Sequence, residues 1–380
     1  MLRQRFFQLI IFGGVLILGG CSLQRGYLAV LVLADIAAGD QPSRLKTTTA
    51  PPERSAISFI VDGRQYRADL YRPREKALAG LLLIPGAAEE GKDDPRLVSL
   101  AMTLARVRFA VLAPELTGLR ELKVGPGNIP EVRDVFAWLV SRPELSPQGR
   151  AGMMAFSFGA GPAILAALEP AIHGKVHFIL TVGGYHDLVE VLTFFTTGYF
   201  QKDDQWSYLA PNVYGKWVFV RSNADRLSDP ADQQILKTMA ERRMVDPDAP
   251  LNDLEDRLGP EGEAVYAFVV NRDPCRVRSL LQELPAGIRE DIAELNPALR
   301  DLSSLRSRLL LVHGYDDNII PHTQSIALAR AVPEDQSRLF LVRGLMHVDI
   351  EPGLLSRWRL WRAVDALLAE RSGEGSFDHE

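Results

Sequence analysis

Cysteine is scarce in this chain, which limits how the fold can be held together. Only two cysteines, Cys21 and Cys275, occur among the 380 residues, so at most one disulfide could form. Paired histidine or cysteine spacings of the kind that bind zinc are also missing. We therefore expect no metal site.

Clusters of basic residues are absent as well. The formal net charge is -5 and the isoelectric point is about 5.9, whereas polyanion binding needs grouped lysine and arginine. Nucleic acid is therefore not an expected partner. Internal repeats are not visible, and tryptophan and phenylalanine are too frequent for a disordered chain. Length and composition predict a packed core in one large α/β domain or two smaller ones.

The N-terminal segment is distinguished by an apolar run. Two arginines precede residues 6–18, which are almost wholly apolar, and two glycines lie directly before Cys21. This arrangement resembles a bacterial lipoprotein signal peptide. The resemblance implies that residues 1–20 are removed, that Cys21 carries a diacylglycerol, and that Cys275 stays unpaired.

An uncleaved membrane anchor is the alternative for this segment. The run from residue 6 to residue 20 has about 15 residues, whereas a membrane span needs about 20. Both interpretations place the rest of the chain outside the cytoplasm. Because Ser22, rather than aspartate, follows the cysteine, we expect residence at the outer membrane, facing the periplasm, if the source cell has two membranes.

Residues 21–56 are predicted to be a lipidated N-terminus followed by a linker. The apolar run Tyr27–Ala38 is too short to span a membrane and is interrupted by Asp35, so we expect a helix on the domain or at the membrane surface. The stretch Gln41–Ser55 is rich in threonine and proline, which is typical of a flexible or partly extended linker.

From residue 57 to residue 380 the pattern is that of an α/β domain. Short apolar runs alternate with helical patterns, which is typical of a mostly parallel sheet flanked by helices. Strands at Ile57–Val61 and Gln65–Tyr71 flank an Asp-Gly turn, so the sheet should begin with an antiparallel hairpin. Between about residues 186 and 305 helical patterns prevail, over a length far beyond an ordinary connection. We predict an inserted helical lid there.

The segment Gly152–Gly161 has the pattern of a nucleophile elbow. A short predicted strand, Gly152–Phe156, runs directly into Ser157, and glycines follow two and four residues later. An elbow needs a sharp, strained turn between a strand and a helix, with small residues that let the two approach. Position 155 is alanine, where glycine is commoner.

The partners that such a serine needs follow it in the chain. A histidine must remove the hydroxyl proton, and a carboxylate must orient that histidine. Asp317 follows one predicted strand in the sequence His-Gly-Tyr-Asp-Asp, with an apolar residue and proline after it, and His347 follows the next strand. At this point the chain resembles the α/β-hydrolase superfamily. The resemblance implies the α/β-hydrolase fold, with Ser157 as nucleophile, His347 as general base and then acid, and Asp317 as orienting carboxylate.

The resemblance also implies an oxyanion hole. The backbone N–H groups of Phe158 and of Ala87, in the turn after a buried strand, would bind the developing oxyanion. Ala88 is an alternative to Ala87 in this role. Asp316 is likewise an alternative to Asp317 as the acid of the triad.

The leading functional hypothesis is a lidded hydrolase that cleaves small carboxylic esters through an acyl-enzyme and needs no cofactor. Thioesters and amides remain open because the same triad cleaves them. A catalytically silent lipoprotein that uses the fold for binding is the alternative from another class. His313 and His186 are expected to be supporting residues. A group of aromatic residues early in the lid is expected to form core or to line an apolar acyl pocket: Phe194, Phe195, Tyr199, Phe200, Trp206 and Tyr208.

Overall fold

The structure is a computed structural model that describes residues 23–203, 205–346, 349–350 and 354–373. Cys21, the expected lipidation site, and His347, the expected catalytic base, lie outside these residues. The expected signal peptide lies outside them as well.

The strands fall into one large sheet and two short hairpins. In chain order they are β1 (Glu53–Val61), β2 (Arg64–Arg72), β3 (Ala79–Ile84), β4 (Phe109–Pro114), β5 (Ala151–Phe156), β6 (Val176–Val182), β7 (Tyr199–Lys202), β8 (Gln205–Tyr208), β9 (Arg308–Gly314), β10 (Ser337–Val342), β11 (Leu345–Met346) and β12 (Asp349–Ile350).

The helices alternate with these strands and cluster between β6 and β9. In chain order they are α1 (Leu23–Ala38), α2 (Arg44–Thr48), α3 (Pro95–Arg106), α4 (Thr117–Arg120), α5 (Asn128–Val140), α6 (Ala160–Ala167), α7 (Leu188–Thr197), α8 (Val213–Asn223), α9 (Pro230–Val245), α10 (Asn252–Glu255), α11 (Pro260–Val270), α12 (Val277–Glu283), α13 (Ala286–Glu294), α14 (Thr323–Arg330) and α15 (Leu354–Ser372).

The large sheet has eight strands in the order β1-β2-β4-β3-β5-β6-β9-β10. Strand β2 runs antiparallel to both of its neighbours. The other six strands that follow it across the sheet, β4, β3, β5, β6, β9 and β10, are parallel to one another. This order and polarity are those of the α/β-hydrolase fold, so the fold class predicted from the sequence is confirmed. The initial hairpin turns at Asp62 and Gly63, which both have positive φ, as the tightest hairpin turns require.

Helices cover both faces of the sheet, as a parallel sheet requires. Leu82 and Ile84 of β3 pack on the side of α5, α6 and α14, whereas Leu81 and Leu83 pack on the side of α1, α3 and α15. All four side chains are fully buried. The carboxyl ends of the parallel strands therefore meet at one edge between two helical layers, where open α/β sheets bind their ligands.

The N-terminal segment is part of the packed domain. Helix α1 lies on the domain, which is one of the two placements expected for Tyr27–Ala38, whereas Gln41–Ser55, expected to be a flexible or partly extended linker, contains α2 and the start of β1. Helix α1 lies against α15, where Arg25 forms a 3.0 Å ion pair with Asp365 and the Trp361 indole donates to the Gly26 carbonyl at 2.9 Å. Strand β1 begins at Glu53, inside the stretch expected to be extended. The described chain therefore joins the domain from its first residues onward.

Asp35, which interrupts the apolar run of α1, explains much of this attachment. Its carboxylate is fully buried and accepts hydrogen bonds from Lys46 Nζ at 2.8 Å, from the Thr103 hydroxyl at 2.6 Å and from Ser43. A buried carboxylate is tolerated only with such partners. The charge that breaks the sequence pattern thus fastens α1 to α2 and α3.

Between β6 and β9 the chain leaves the sheet and forms α7 to α13 with the β7-β8 hairpin. These helices have a hydrophobic core of their own, with fully buried residues such as Leu236 and Phe268 at its centre. The insertion is therefore a packed unit rather than a loose loop. Within the part of the chain that the structure describes, no helix combines the length and the apolar character needed to cross a membrane.

Candidate active site

Ser157 follows directly after β5 and adopts a strained backbone conformation. Its φ angle is 50°, in the left-handed region that a residue with a side chain rarely adopts. A short turn over Ser157–Gly159 leads into α6. The local geometry is that of a nucleophile elbow, in which a strand, a sharp turn and a helix place the side chain at the apex.

Glycines make this elbow possible because its backbone approaches other segments closely. A Cβ atom on Gly159 would lie 2.4 Å from the Pro85 carbonyl oxygen, and one on Gly161 would lie 1.9 Å from the Tyr185 hydroxyl. Neither distance is compatible with a side chain. The two glycines that indicated the motif in the sequence are thus required by close contacts. Gly159 lies against the turn after β3, and Gly161 lies against Tyr185, which follows β6.

The loop after β9 distinguishes the two neighbouring aspartates. Asp317 is 1% exposed, and its Oδ1 accepts the backbone N–H groups of Ile319 and Ile320, both at 2.9 Å. Asp316 is exposed, and its Oδ2 accepts the N–H of Gly344 at 3.0 Å. The buried carboxylate at the carboxyl end of β9 is therefore Asp317, the residue that the sequence motif indicates.

The side chain of His313, at the end of β9, contacts this loop. Its Nε2 lies 2.9 Å from the Ile320 carbonyl oxygen and 3.4 Å from Asp317 Oδ2, and its Nδ1 lies 2.7 Å from the Ser325 hydroxyl oxygen. Because a carbonyl only accepts, Nε2 carries a proton and donates it to the Ile320 carbonyl. Both ring nitrogens are thus engaged in holding the loop.

The chain that leads to His347 passes beside the same loop. Tyr315 donates its N–H to the Val342 carbonyl at 2.8 Å. A Cβ on Gly314 would lie only 1.7 Å from the carbonyl oxygen of Leu345, two residues before His347. Only glycine permits so close an approach. The glycine of the His-Gly motif therefore allows the loop to contact the segment that leads to the expected base, His347.

A cavity of about 400 Å³ opens beside Ser157. Its lining includes Phe158 together with Ala87 and Ala88, the residues whose N–H groups were predicted to form the oxyanion hole. A Cβ on Gly86 would lie 3.2 Å from that of Ser157, so the turn after β3 lies directly against the elbow. The structure brings these predicted site residues together, while both alanines remain eligible as the second donor.

Most of the cavity wall consists of apolar residues that the sequence did not mark as functional. They belong to α1, α3 and α15 and to the sheet strands that face these helices: Val32, Leu33, Ile36, Leu97, Leu100, Leu104, Met154, Phe156, Leu180, Val182, Val312, Leu360, Ala363, Val364 and Leu367. The site therefore extends away from the elbow into one helical layer.

The aromatic residues that were expected to form core or an acyl pocket lie elsewhere, whereas Tyr214 of α8, which that expectation did not include, lines the 400 Å³ cavity. Phe194 and Phe195 are 0% and 2% exposed within the insertion. Phe195 lines a separate cavity of about 60 Å³. Trp206 and Tyr208, on the β7-β8 hairpin, are 43% and 62% exposed. The core interpretation therefore holds for the two phenylalanines, and these aromatic rings do not line the larger cavity.

Two other histidines near the carboxyl ends of the strands, His186 and His322, are suited to a structural role. The backbone N–H of His186 donates to Gln324 at 3.1 Å, and burial lowers the pKa of its ring. Burial also lowers the pKa of His322 to about 4, so that this ring is neutral at pH 7. Among the described residues, no group of three or more histidine, cysteine, aspartate or glutamate side chains is arranged to hold a metal ion.

Comparison with known proteins yields distant likenesses. The sequence matches no known family profile and no characterised protein sequence. Among solved structures, a dienelactone hydrolase from Anabaena variabilis is 15% identical, with a TM-score of 0.42 over 83% of this chain and 96% of that one. An esterase from Pyrobaculum calidifontis is 14% identical, with a TM-score of 0.45 over 92% and 91% of the two chains. The fold assignment rests on the strand order instead, and any chemistry on the site residues.

Proposed function

We propose that this protein is a serine hydrolase that cleaves carboxylic esters through an acyl-enzyme on Ser157. The observation that carries the proposal is the strained backbone of Ser157 at the end of β5, with φ of 50°, beside the mouth of an apolar cavity. Strands β5, β6 and β9 are neighbours. The elbow and the Asp317 loop are thus two strand spacings apart, about 10 Å, a gap that an imidazole can bridge.

The reaction follows from these positions. His347 takes the hydroxyl proton as Ser157 Oγ attacks the ester carbonyl, and Asp317 stabilises the imidazolium. The N–H groups of Phe158 and Ala87 hold the oxyanion, each worth about 10² to 10³ in rate. Collapse of the tetrahedral intermediate expels the alcohol, which leaves with the proton from His347. A water molecule, deprotonated by the same histidine, then releases the acid from the serine.

A fluorophosphonate probe tests the nucleophile directly. We expect stoichiometric labelling of the purified protein, located on Ser157 by mass spectrometry, and loss of both labelling and ester hydrolysis in Ser157→Ala. Ser303→Ala, on a surface turn, serves as the control and should behave like the wild type. Labelling and turnover that survive in a folded Ser157→Ala would refute the proposal, and a wild type that never reacts would indicate a binding protein.

A panel of matched oxygen esters, thioesters and amides decides the bond that is cleaved. An ester carbonyl is more easily attacked than an amide, whose nitrogen is a poor leaving group. We therefore expect kcat/KM to be highest for oxygen esters. A higher kcat/KM for the matched thioester or amide would assign the protein to one of those classes while leaving the serine mechanism in place.

We further propose that the protein is exported and tethered to a membrane by a lipid on Cys21. Support comes from the apolar run that precedes this cysteine and from the outward side of α1. The exposed residues of α1 include Leu23, Tyr27, Val30, Ala34 and Ala37, none of them charged. An uncharged exposed side is suited to contact with lipid, and α1 begins two residues after the proposed anchor.

The two cysteines allow a matched test of the anchor. Cys21→Ala should move the protein from the membrane to the soluble fraction of the exported material, and intact mass should show loss of the lipid. Cys275→Ala, at an exposed cysteine of the insertion, should leave both unchanged. Retained membrane association in Cys21→Ala, together with an intact Met1 in the wild type, would contradict the lipoprotein proposal and establish an uncleaved anchor.

A further inference from the structure

The 400 Å³ cavity beside Ser157 has two chemically different ends. At its mouth lie the elbow, the turn after β3 and the charged pair Asp94 and Arg96, which are joined by a hydrogen bond of 2.8 Å. Away from the mouth the lining is hydrocarbon. Among the described lining residues, only Asp94, Arg96, Ser157 and Tyr214 carry an oxygen or nitrogen on the side chain, so the wall formed by α1, α3, α15 and the strands suits a ligand portion that has no polar group to satisfy.

Helices α1, α3 and α15 and the sheet form most of the wall of the deeper part, and Tyr214, Gly215 and Val218 of α8 also line the cavity. Leu97 and Leu104 mark its extent along α3, and their separation of seven positions corresponds to about 10 Å of helix. Leu360 and Leu367 mark a similar length along α15. The strands contribute residues such as Phe156, directly before the nucleophile. The lining thus runs about 10 Å along two helices and includes the proposed nucleophile, Ser157.

The remaining wall is the N-terminal helix. Val32, Leu33 and Ile36 of α1 line the cavity. Their positions are fixed by contacts on both sides of the helix, because Asp35 is buried against α2 and α3 and Arg25 pairs with Asp365 of α15. A segment that the sequence separates from the catalytic residues therefore completes the enclosure.

We propose that this cavity is the acyl site and that it takes the straight alkyl chain of a fatty-acyl ester, with α1 as its outer wall. The inference rests on the proposed serine-hydrolase function and names its substrate class. A methylene group is about as large as a water molecule, which takes about 30 Å³ in the liquid. The cavity of about 400 Å³ therefore has room for roughly a dozen methylene groups.

The chain length that the enzyme prefers follows from this volume. Each methylene that leaves water for an apolar cavity improves binding by up to about fourfold. We expect kcat/KM to rise through a series of p-nitrophenyl esters, from acetate to chains of roughly eight to twelve carbons, and to fall for longer chains that no longer fit.

Variants on three walls test the site. Val32→Phe on α1 and Ala363→Phe on α15 fill the cavity and should lower kcat/KM for the dodecanoate at least tenfold, with less than a threefold effect on the acetate. Leu100→Ala on α3 enlarges it and should shift the optimum to longer chains. Ala34→Phe is the matched control, because Ala34 lies on the exposed side of α1. Opposite shifts from filling and enlarging cannot arise from loss of folding alone.

Binding separates a failure of this inference from a failure of the proposed function. A fluorescent undecanoic acid should bind the wild type and Ala34→Phe, and should bind Val32→Phe at least tenfold more weakly. If no ester is hydrolysed but this pattern is found, the acyl site stands without the esterase. If esters are hydrolysed and the three cavity variants keep the wild-type chain-length profile, the acyl site is refuted.

Discussion

The two adjacent aspartates after β9 allow a sharp test of the proposed triad. Replacing Asp317 by asparagine keeps the shape of the side chain and removes its charge. The N–H groups of Ile319 and Ile320 both point at Oδ1 from 2.9 Å. An asparagine must therefore keep its oxygen at that position, because its amide group there would face two donors and lose two hydrogen bonds. The NH2 group is then forced into the place of Oδ2.

The magnitude follows from this forced orientation. A donor at the position of Oδ2 cannot accept the N–H of a catalytic histidine, and the imidazolium loses a neighbouring negative charge. Two unit charges about 4 Å apart interact by about 4 kcal/mol at the effective dielectric constant of partly shielded sites. At about 1.4 kcal/mol per tenfold change in rate, Asp317→Asn should lower kcat by about 10³ to 10⁴.

Asp316→Asn is the matched control. Its side chain is exposed and accepts only the Gly344 N–H in the described contacts, a role that the oxygen of asparagine preserves. We expect kcat to change less than fivefold, since exposed charges contribute little. Steady-state kinetics with an acetate ester, together with thermal unfolding of both variants, provides the comparison. A reversed order would move the acid to Asp316, and a lowered melting temperature with unchanged kcat would make Asp317 a loop cap only.

Two further predictions concern packing and pH. Gly161→Ala should destabilise the protein by about 1 to 3 kcal/mol in urea unfolding, because its Cβ would lie 1.9 Å from the Tyr185 hydroxyl. The control Gly287→Ala, in α13, should be neutral or stabilising by up to about 1 kcal/mol. Equal effects of the two substitutions would contradict the close contact inferred for the elbow. Burial raises the pKa of Asp35, but hydrogen bonds from Lys46 and others outweigh it and hold that pKa below its usual 3.8. The stabilisation by the ionised carboxylate is therefore present above pH 3.8 and lost as the pH falls through the lowered value, so acid unfolding should be steeper in the wild type than in Asp35→Asn.

The fold could be read from the sequence because its signals are local. Short buried strands such as β3 appear as apolar runs, and the Asp-Gly turn sets the antiparallel start of the sheet. The glycines of the elbow and of the His-Gly motif were visible as well. Their physical reasons, the contacts of Gly161 with Tyr185 and of Gly314 with Leu345, became apparent only from the packing. Local patterns thus located the candidate catalytic residues, but they did not show which contacts require the glycines.

The N-terminal helix could not be placed by the same means. Its apolar residues recur all round the helix, so periodicity marks no single buried side. Asp35 looked like an interruption, because a charge in an apolar run usually indicates exposure. Its partners Lys46 and Thr103 show the opposite, since they lie on separate helices that only the folded chain brings together. A buried polar cluster of this kind depends on pairings that one sequence does not display.

The cavity lies furthest from what a sequence can show. A helix has the same apolar pattern whether its neighbours fill the space against it or leave some of that space empty. Val32, Leu100 and Ala363 are distant in the sequence, and their common feature is a gap of about 400 Å³ that no side chain fills. The insertion aromatics were the acyl pocket that the sequence offered as an alternative to core packing, because large rings are conspicuous in a sequence. An unfilled cavity leaves no such mark in a sequence. The residues that we expect to set the acyl-chain preference therefore have the same sequence pattern as ordinary core residues.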